Sequence, residues 1–493
     1  MKPTQRRASL WHHYFCLVCL ALAAVWPSSG TAEAGAWEAL KEQEGFGVRV
    51  SAMVLDLNSG RAIQSLNAGN RLSPASVSKL VVSSAALATW SVDKVFETRL
   101  LASGEIRDGR LAGDLLITSD GDASFDHLDL WHLAGRLRAA GVRSIGGSVV
   151  ALPAFGPLPC GDKDRCEATV ESRNAYDAPM SALGVDLGTW CMEIQPGNVG
   201  AAAQIKSCAG TKLPIPVRGQ ITTGKQGSRS TFKVIRRTES GRDHLDVSGS
   251  VAADKLARVH RSMSDPALGT ALLLRQMLQE LGISVAGVAR VQYTPGIAPG
   301  TVIARVSGLP LGEQIGRMIR YSNNYLADLL TLNVARARTR SAPQSLAEAS
   351  AVLTQHLAEL TGTAANPPNL LSGSGLTPEN RVSAQDIVSL LQLEYQKTET
   401  FPAFYGAMVV PRQAPSAFLR GGGEAWQDRV ALKSGTLTEP DPVRCIAGYL
   451  RKKDGGWMAF AVLVNGSTSD RRHNNRNSMA AIKADIDQLL QKY

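Results

Sequence analysis

Pro74-Ala75-Ser76-Val77-Ser78-Lys79-Leu80-Val81 is the stretch on which the reading of this 493-residue chain turns. It sets a serine and a lysine three residues apart at what reads as a helix start. Pro74 suits the first turn, and Leu80, Val81, Ala85 and Leu87 form an apolar face behind the pair. At i, i+3 the two side chains leave one helical face, about 5–6 Å apart at Cβ. A serine hydroxyl becomes a nucleophile when a base takes its proton, and a lysine can be that base once burial or neighbouring charge lowers its pKa. Alone, the tetrad is weak. Ser91–Lys94 and Ser230–Lys233 repeat it, and a solvated lysine at a helix end is its ordinary meaning.

Two patterns downstream give Ser76 its partners, Ser322-x-Asn324 and Lys433-Ser434-Gly435. Ser-x-Asn also occurs at Ser65–Asn67 and Ser172–Asn174, where a cap or turn accounts for it. Lys-Ser/Thr-Gly occurs once, inside the strand-like run Val430–Thr436, and a glycine there lets another backbone come close. Taken together and in this order, the three patterns are those of serine β-lactamases and penicillin-binding proteins.

The chain resembles the class C low-molecular-mass penicillin-binding proteins, the D-alanyl-D-alanine carboxypeptidase/endopeptidase family of peptidase S13 type. The likeness runs over nearly the whole chain beyond residue 34. It includes Gly113-Asp114-Leu115, Ala178-Pro179-Met180-Ser181-Ala182-Leu183, Gly282-Ile283 through Gly287, and Ser322-Asn323-Asn324-Tyr325-Leu326-Ala327. Ser374-Gly375-Leu376 with Asn380-Arg381 matches the family's glycine segment, and the 246-residue separation of Ser76 from Ser322 suits a class whose insertions fall between those motifs. Two positions depart from the pattern. The usual Lys-Thr-Gly is Lys433-Ser434-Gly435, which keeps the hydroxyl, and the usual Asp-Gly-Ser-Gly-Leu begins with Ser372.

The resemblance implies roles. Ser76 attacks the carbonyl between two D-alanines of a peptidoglycan stem peptide, and Lys79 takes its proton. Ser322 relays a proton to the leaving amine, and Asn324 holds the substrate amide and the lysine. Lys433 supplies positive charge, while Ser434 and Thr436 bind the terminal carboxylate. The backbone N–H groups of Ser76 and Thr436 form an oxyanion hole, where one donor is often worth about 3–4 kcal/mol. Gly435 admits the substrate beside the strand, and Glu171 is a candidate contact to a substrate amine. β-Lactam antibiotics are implied as acylating inhibitors; no cofactor and no metal is implied. Two other readings stay beside this one, a serine β-lactamase and an inactive protein that binds cell-wall peptides.

Composition and targeting agree with work outside the cytoplasm. Residues 1–34 read as a secretory signal, with Lys2, Arg6 and Arg7, an apolar run from Tyr14 to Trp26, and Ala32-Glu33-Ala34 as cleavage site. The formal charge of +10 is spread without a basic run or aromatic interleaving, which argues against nucleic acid. Beyond the signal remain Cys160, Cys166, Cys191, Cys208 and Cys445. In an oxidising compartment the neighbours Cys160–Cys166 and Cys191–Cys208 are the natural disulfides, leaving Cys445 free. Zinc is the weaker alternative, since no paired C-x-x-C or nearby histidine accompanies them. His127, His132, His244, His260, His356 and His473 read as structural or surface residues without an evident serine–aspartate companion. No pattern specifies an oligomeric state.

The expected fold is α/β (α+β), a β-lactamase/transpeptidase-like antiparallel sheet flanked by helices, with inserted mixed domains. Residues 35–92 and 300–493 are expected to form the catalytic part. Residues 93–299 are the insertion, with 93–158 and 218–299 in one domain and 159–217 nested as a second. Strands are expected at Val48–Leu57 and Arg61–Leu66, with a hairpin whose arms are Arg444–Leu450 and Trp457–Asn465. A helical pattern over 311–330 breaks near Ser322, and Met479, Ile482, Ile486 and Leu490 mark a final amphipathic helix.

Overall fold

The computed structural model describes residues 37–293, 300–467 and 474–493. The expected signal and His473 lie outside them. Two chain segments build the catalytic sheet. The first contributes α1 (Glu38–Glu44), β1 (Arg49–Asp56), β2 (Ala62–Leu66) and α2 (Lys79–Leu87). The second contributes α3 (Leu311–Tyr321), α4 (Asn324–Thr339), α5 (Leu346–Thr361) and α6 (Ala384–Tyr395). It closes with β3 (Val430–Leu437), β4 (Val443–Arg451), β5 (Trp457–Asn465) and α7 (Asn475–Lys492). The sheet order is β2-β1-β5-β4-β3, antiparallel throughout, so β3 with Lys433 is an edge strand.

Side chains alternate across this sheet because successive Cβ atoms point to opposite faces. Met458, Phe460, Val462 and Val464 pack with α1 and α7, whereas Ala459, Ala461 and Leu463 face the cluster built on α2 and α4–α6. Each fully buried large apolar side chain contributes about 1.5–3 kcal/mol. The N-terminus of α1 is tied to α7 through Asp485, which accepts from the N–H groups of Ala39 and Leu40 at 3.1 and 3.0 Å.

The other five sheets lie between β2 and α3 in sequence and share one apolar core. Strand pairing crosses two of the expected boundaries. Thr301–Ser307 pairs with Glu97–Ala102, so residues assigned to the catalytic part hydrogen-bond into the insertion. Thr189–Gln195 pairs with Ala257–Ser262, and Glu171–Ser172 with Lys233–Glu239, so strand pairing crosses the expected limit at residue 217. These pairings are long-range, which local patterning does not encode. Two short strands, Ser284–Val285 and Ala289–Val291, complete the insertion's parallel pairings.

The disulfides are Cys160–Cys166 and Cys191–Cys208, and Cys445 is a free, buried thiol. It lies on β4 opposite Gly435, and burial pushes it up to about 12, which keeps it protonated and inert.

Candidate active site

The nucleophile turn is tighter than the sequence implies. Ala75–Ser78 form a single 3₁₀ turn, and α2 begins only at Lys79. Ala75 sits at φ +44°, a left-handed conformation costly for a residue with a Cβ. The approach is pinned to β5, since Ser73 N–H donates to Asn465 Oδ1 at 2.8 Å and Asn465 Nδ2 donates to Ser73 O at 3.0 Å. From this turn Lys79 Nζ reaches Ser76 Oγ at 2.8 Å, Asn324 Oδ1 at 2.9 Å and the Ser374 carbonyl at 2.6 Å.

The break at Ser322-Asn323-Asn324 is a helix corner. Ser322 ends α3 at φ +55°, and Asn323 caps α4 by accepting the Leu326 N–H at 2.8 Å. The corner puts Ser322 within 2.8 Å of Lys433 Nζ and leaves Asn324 Nδ2 to donate to the Tyr176 carbonyl at 3.3 Å. On β3, Lys433 also donates to Ser434 O at 2.5 Å, and Thr436 Oγ1 accepts from Arg444 at 2.5 Å. Gly435 is required by contact: a Cβ there would lie 2.6 Å from Pro74 O and 3.0 Å from Ser76 N.

The glycine segment keeps its order without a carboxylate at 372. Asn380 Oδ1 accepts from the Leu371 and Ser372 N–H groups at 2.8 and 3.2 Å, and its Nδ2 donates to Ser372 O at 2.8 Å.

Burial is the main electrostatic agent here. It drives Lys79 well below the ordinary lysine value, aided by Lys433 and Arg165 and opposed by Asp328. Burial also lowers Lys433, to about 7. Burial thus disfavours the ammonium form of the amine beside Ser76 Oγ, which favours its accepting the serine proton, and a second lysine, also lowered by burial, stands against Ser322. The described hydrogen bonds of Ser76 and Lys79 include no carboxylate.

Ser76, Ser322, Asn324 and Thr436 line one cavity of about 1180 Å³, walled also by Asp162 and Tyr176 of the insertion. Lys79 and Lys433 lie buried beneath it. Glu171 is not brought into this cavity. Its carboxylate accepts from Arg173 at 2.9 Å and pairs with Arg237 at 2.6 Å, beside a neighbouring hollow of about 620 Å³.

The family model of the D-Ala-D-Ala carboxypeptidase 3 (S13) family matches residues 36–486. The chain belongs to this family. A D-alanyl-D-alanine carboxypeptidase of an Actinomadura species, strain R39, is 26% identical over 432 residues, 84% of this chain and 77% of the relative. D-Alanyl-D-alanine carboxypeptidase DacB of Haemophilus influenzae is 22% identical over 460 residues, covering 91% and 92%. The crystal structure of penicillin binding protein 4 (dacB) from Haemophilus influenzae matches with a TM-score of 0.72 at 21% identity, over 92% of this chain and 99% of that one. That likeness is one of fold.

Sequence reading missed several members of this S13 site. Asp328 follows Asn324 by four residues on α4, so a carboxylate one turn on within a buried stretch was the available signal. Arg165 and Tyr176 carried none, because they come from the insertion. His356 does have a serine neighbour: Ser84 Oγ lies 2.8 Å from His356 Nε2 and donates to Glu394 at 2.6 Å. The hydroxyl has one proton, so His356 Nε2–H is the donor to it. This buried network joins α2, α5 and α6, and burial lowers His356 to about 4.

Proposed function

We propose that this chain is an exported serine DD-peptidase that cleaves D-alanyl-D-alanine bonds of peptidoglycan stem peptides through an acyl-enzyme on Ser76, and that β-lactams acylate the same serine. The observation that carries the reading is the buried Lys79 amine, its ammonium form disfavoured by burial, 2.8 Å from Ser76 Oγ at the edge of a cleft lined by Ser76, Ser322, Asn324 and Thr436. Lys79 removes the Ser76 proton as Oγ attacks the carbonyl. Ser322, held by Lys433, returns a proton to the leaving D-alanine nitrogen. Lys433, Ser434 and Thr436 receive the terminal carboxylate, and the N–H groups of Ser76 and Thr436 stabilise the oxyanion. Water then releases the acyl group. Among the described residues no carboxylate bonds Ser76 or Lys79, which favours slow hydrolysis of a penicilloyl adduct over β-lactamase turnover.

Export is supported by the composition of residues 1–34 and by the two disulfides. Among the described residues no helix is long and apolar enough to cross a membrane. By strand pairing, the insertion divides into 93–158 with 263–307, and 159–262. Incubating purified protein with a pentapeptide muropeptide and, separately, with penicillin tests the function. D-Alanine release and a lasting adduct are expected; neither appearing rejects it.

A pH dependence follows from Lys433. With its pKa lowered to about 7 by burial, it is charged below that value and loses its charge above it. In the free enzyme kcat/KM for substrates with a free terminal carboxylate should therefore fall as pH rises through about 7. Amidating that carboxylate should flatten the fall. An alkaline limb identical for both substrates removes Lys433 from this role.

A further inference from the structure

The loop Cys160-Gly161-Asp162-Lys163-Asp164-Arg165-Cys166 is closed by its disulfide and belongs to the insertion. Lys163 is exposed and Asp164 half-buried, but the Arg165 side chain is 0% exposed. Removing a guanidinium from water costs several kcal/mol unless its donors are satisfied. They are: Nη1 donates to Asp162 Oδ2 at 2.8 Å, Nη2 to Asp328 Oδ2 at 2.7 Å and Nε to the Ala178 carbonyl at 3.2 Å. Asp328 is itself fully buried, and its other oxygen accepts the Ser374 N–H at 2.7 Å. The Ser374 carbonyl in turn accepts from Lys79 Nζ at 2.6 Å.

We infer that Arg165, delivered by the insertion, is a positioning residue for the general base: through Asp328 and Ser374 it fixes the carbonyl that holds Lys79 and balances the Asp328 carboxylate buried behind it. This rests on the Lys79 role proposed above. The insertion thereby takes part in the chemistry as well as in walling the cleft.

The charge logic is direct. Asn324 and Asp328 of α4, Lys433 of β3, Ser76, the Ser374 carbonyl and Arg165 surround the Lys79 amine. Lys433 and Arg165 disfavour its ammonium form, and Asp328 favours it. Without Arg165, the Asp328 charge is uncompensated and draws a proton onto Lys79. Acylation then requires higher pH.

The test is the rate of penicillin acylation of Ser76 between pH 5 and 10, with thermal midpoints recorded. Arg165→Met is expected to move the acid limb up by about one pH unit, about tenfold in rate below the limb, while the alkaline rate recovers. Asp328→Asn, which keeps an acceptor for the Ser374 N–H, should move the limb down, and the double variant should return it towards the wild-type position. Arg165→Lys should hold the limb better than Arg165→Met. Limbs coincident with wild type in the folded variants overturn the inference, as does a rate loss equal at every pH. If Arg165→Met does not fold, the lysine ¹³Cε titration of Lys79 in Asp328→Asn decides, because it must move below wild type. Wild-type protein that forms no adduct would reject the proposed function, whereas the Lys79 titration would still judge the charge balance.

Discussion

Ser76→Ala is expected to abolish both D-alanine release and the penicillin adduct. Loss of a serine nucleophile that works with its base costs on the order of 10⁶ in kcat, because neither partner acts without the other. Ser76 is the serine among the three Ser-x-x-Lys matches whose lysine is buried and directly bonded to it, at 2.8 Å. Ser91 lies exposed beyond the end of α2, and its lysine, Lys94, stands over the Phe96 ring at 5.1 Å. Ser230 accepts the Ala252 N–H at 3.1 Å, and Lys233 is exposed. Ser91→Ala and Ser230→Ala should accordingly keep both activities. Mass mapping of penicillin-treated protein checks the assignment, and an adduct on a tryptic peptide lacking Ser76 overturns it.

What the sequence made legible was whatever depends on short-range period or on motif order. The run Trp457–Asn465 reads as one arm of a hairpin, and β5 is that strand, central between β1 and β4. The interrupted apolar period at Ser322 predicts a break, and the break is the corner that presents Ser322 and Asn324. Proximity paired the four bridged cysteines correctly. The rest depends on contacts between distant segments. Arg165 reads as one more charge in a loop of charges until a carboxylate 163 positions away buries with it. Glu171 has the right chemistry, but Arg173 and Arg237 occupy it, and the second of these arrives on a strand 66 residues later. Ala75 is equally opaque: alanine favours ordinary helical geometry, and only the surrounding contacts hold it at positive φ.

Those contacts make Gly375→Ala the second large effect. Gly375 is at φ +74°, and a Cβ would fall 1.9 Å from Ala75 O, 2.3 Å from Ala75 C and 2.7 Å from Ser78 Oγ. The obstructing atoms belong to the nucleophile turn, so something there must move. The turn has little room to retreat. Gly435 meets it from β3, the Ser73–Asn465 pair ties its entry to β5, and Ser78 Oγ donates to Gly373 O at 2.8 Å. A displacement near 1 Å between nucleophile and base can cost about 10² in rate. Overpacking adds about 1–3 kcal/mol of destabilisation, and the left-handed backbone about 1–2 kcal/mol more. Gly375→Ala should therefore lower both the penicillin acylation rate and the thermal midpoint. Gly135→Ala is the matched control, because a Cβ there meets nothing within 4 Å on the helix His127–Ala139. It should raise stability by about 0.5–1 kcal/mol and leave acylation unaltered. If Gly375→Ala acylates at the wild-type rate, the nucleophile turn can yield, and the strain at Ala75 is not what places Ser76.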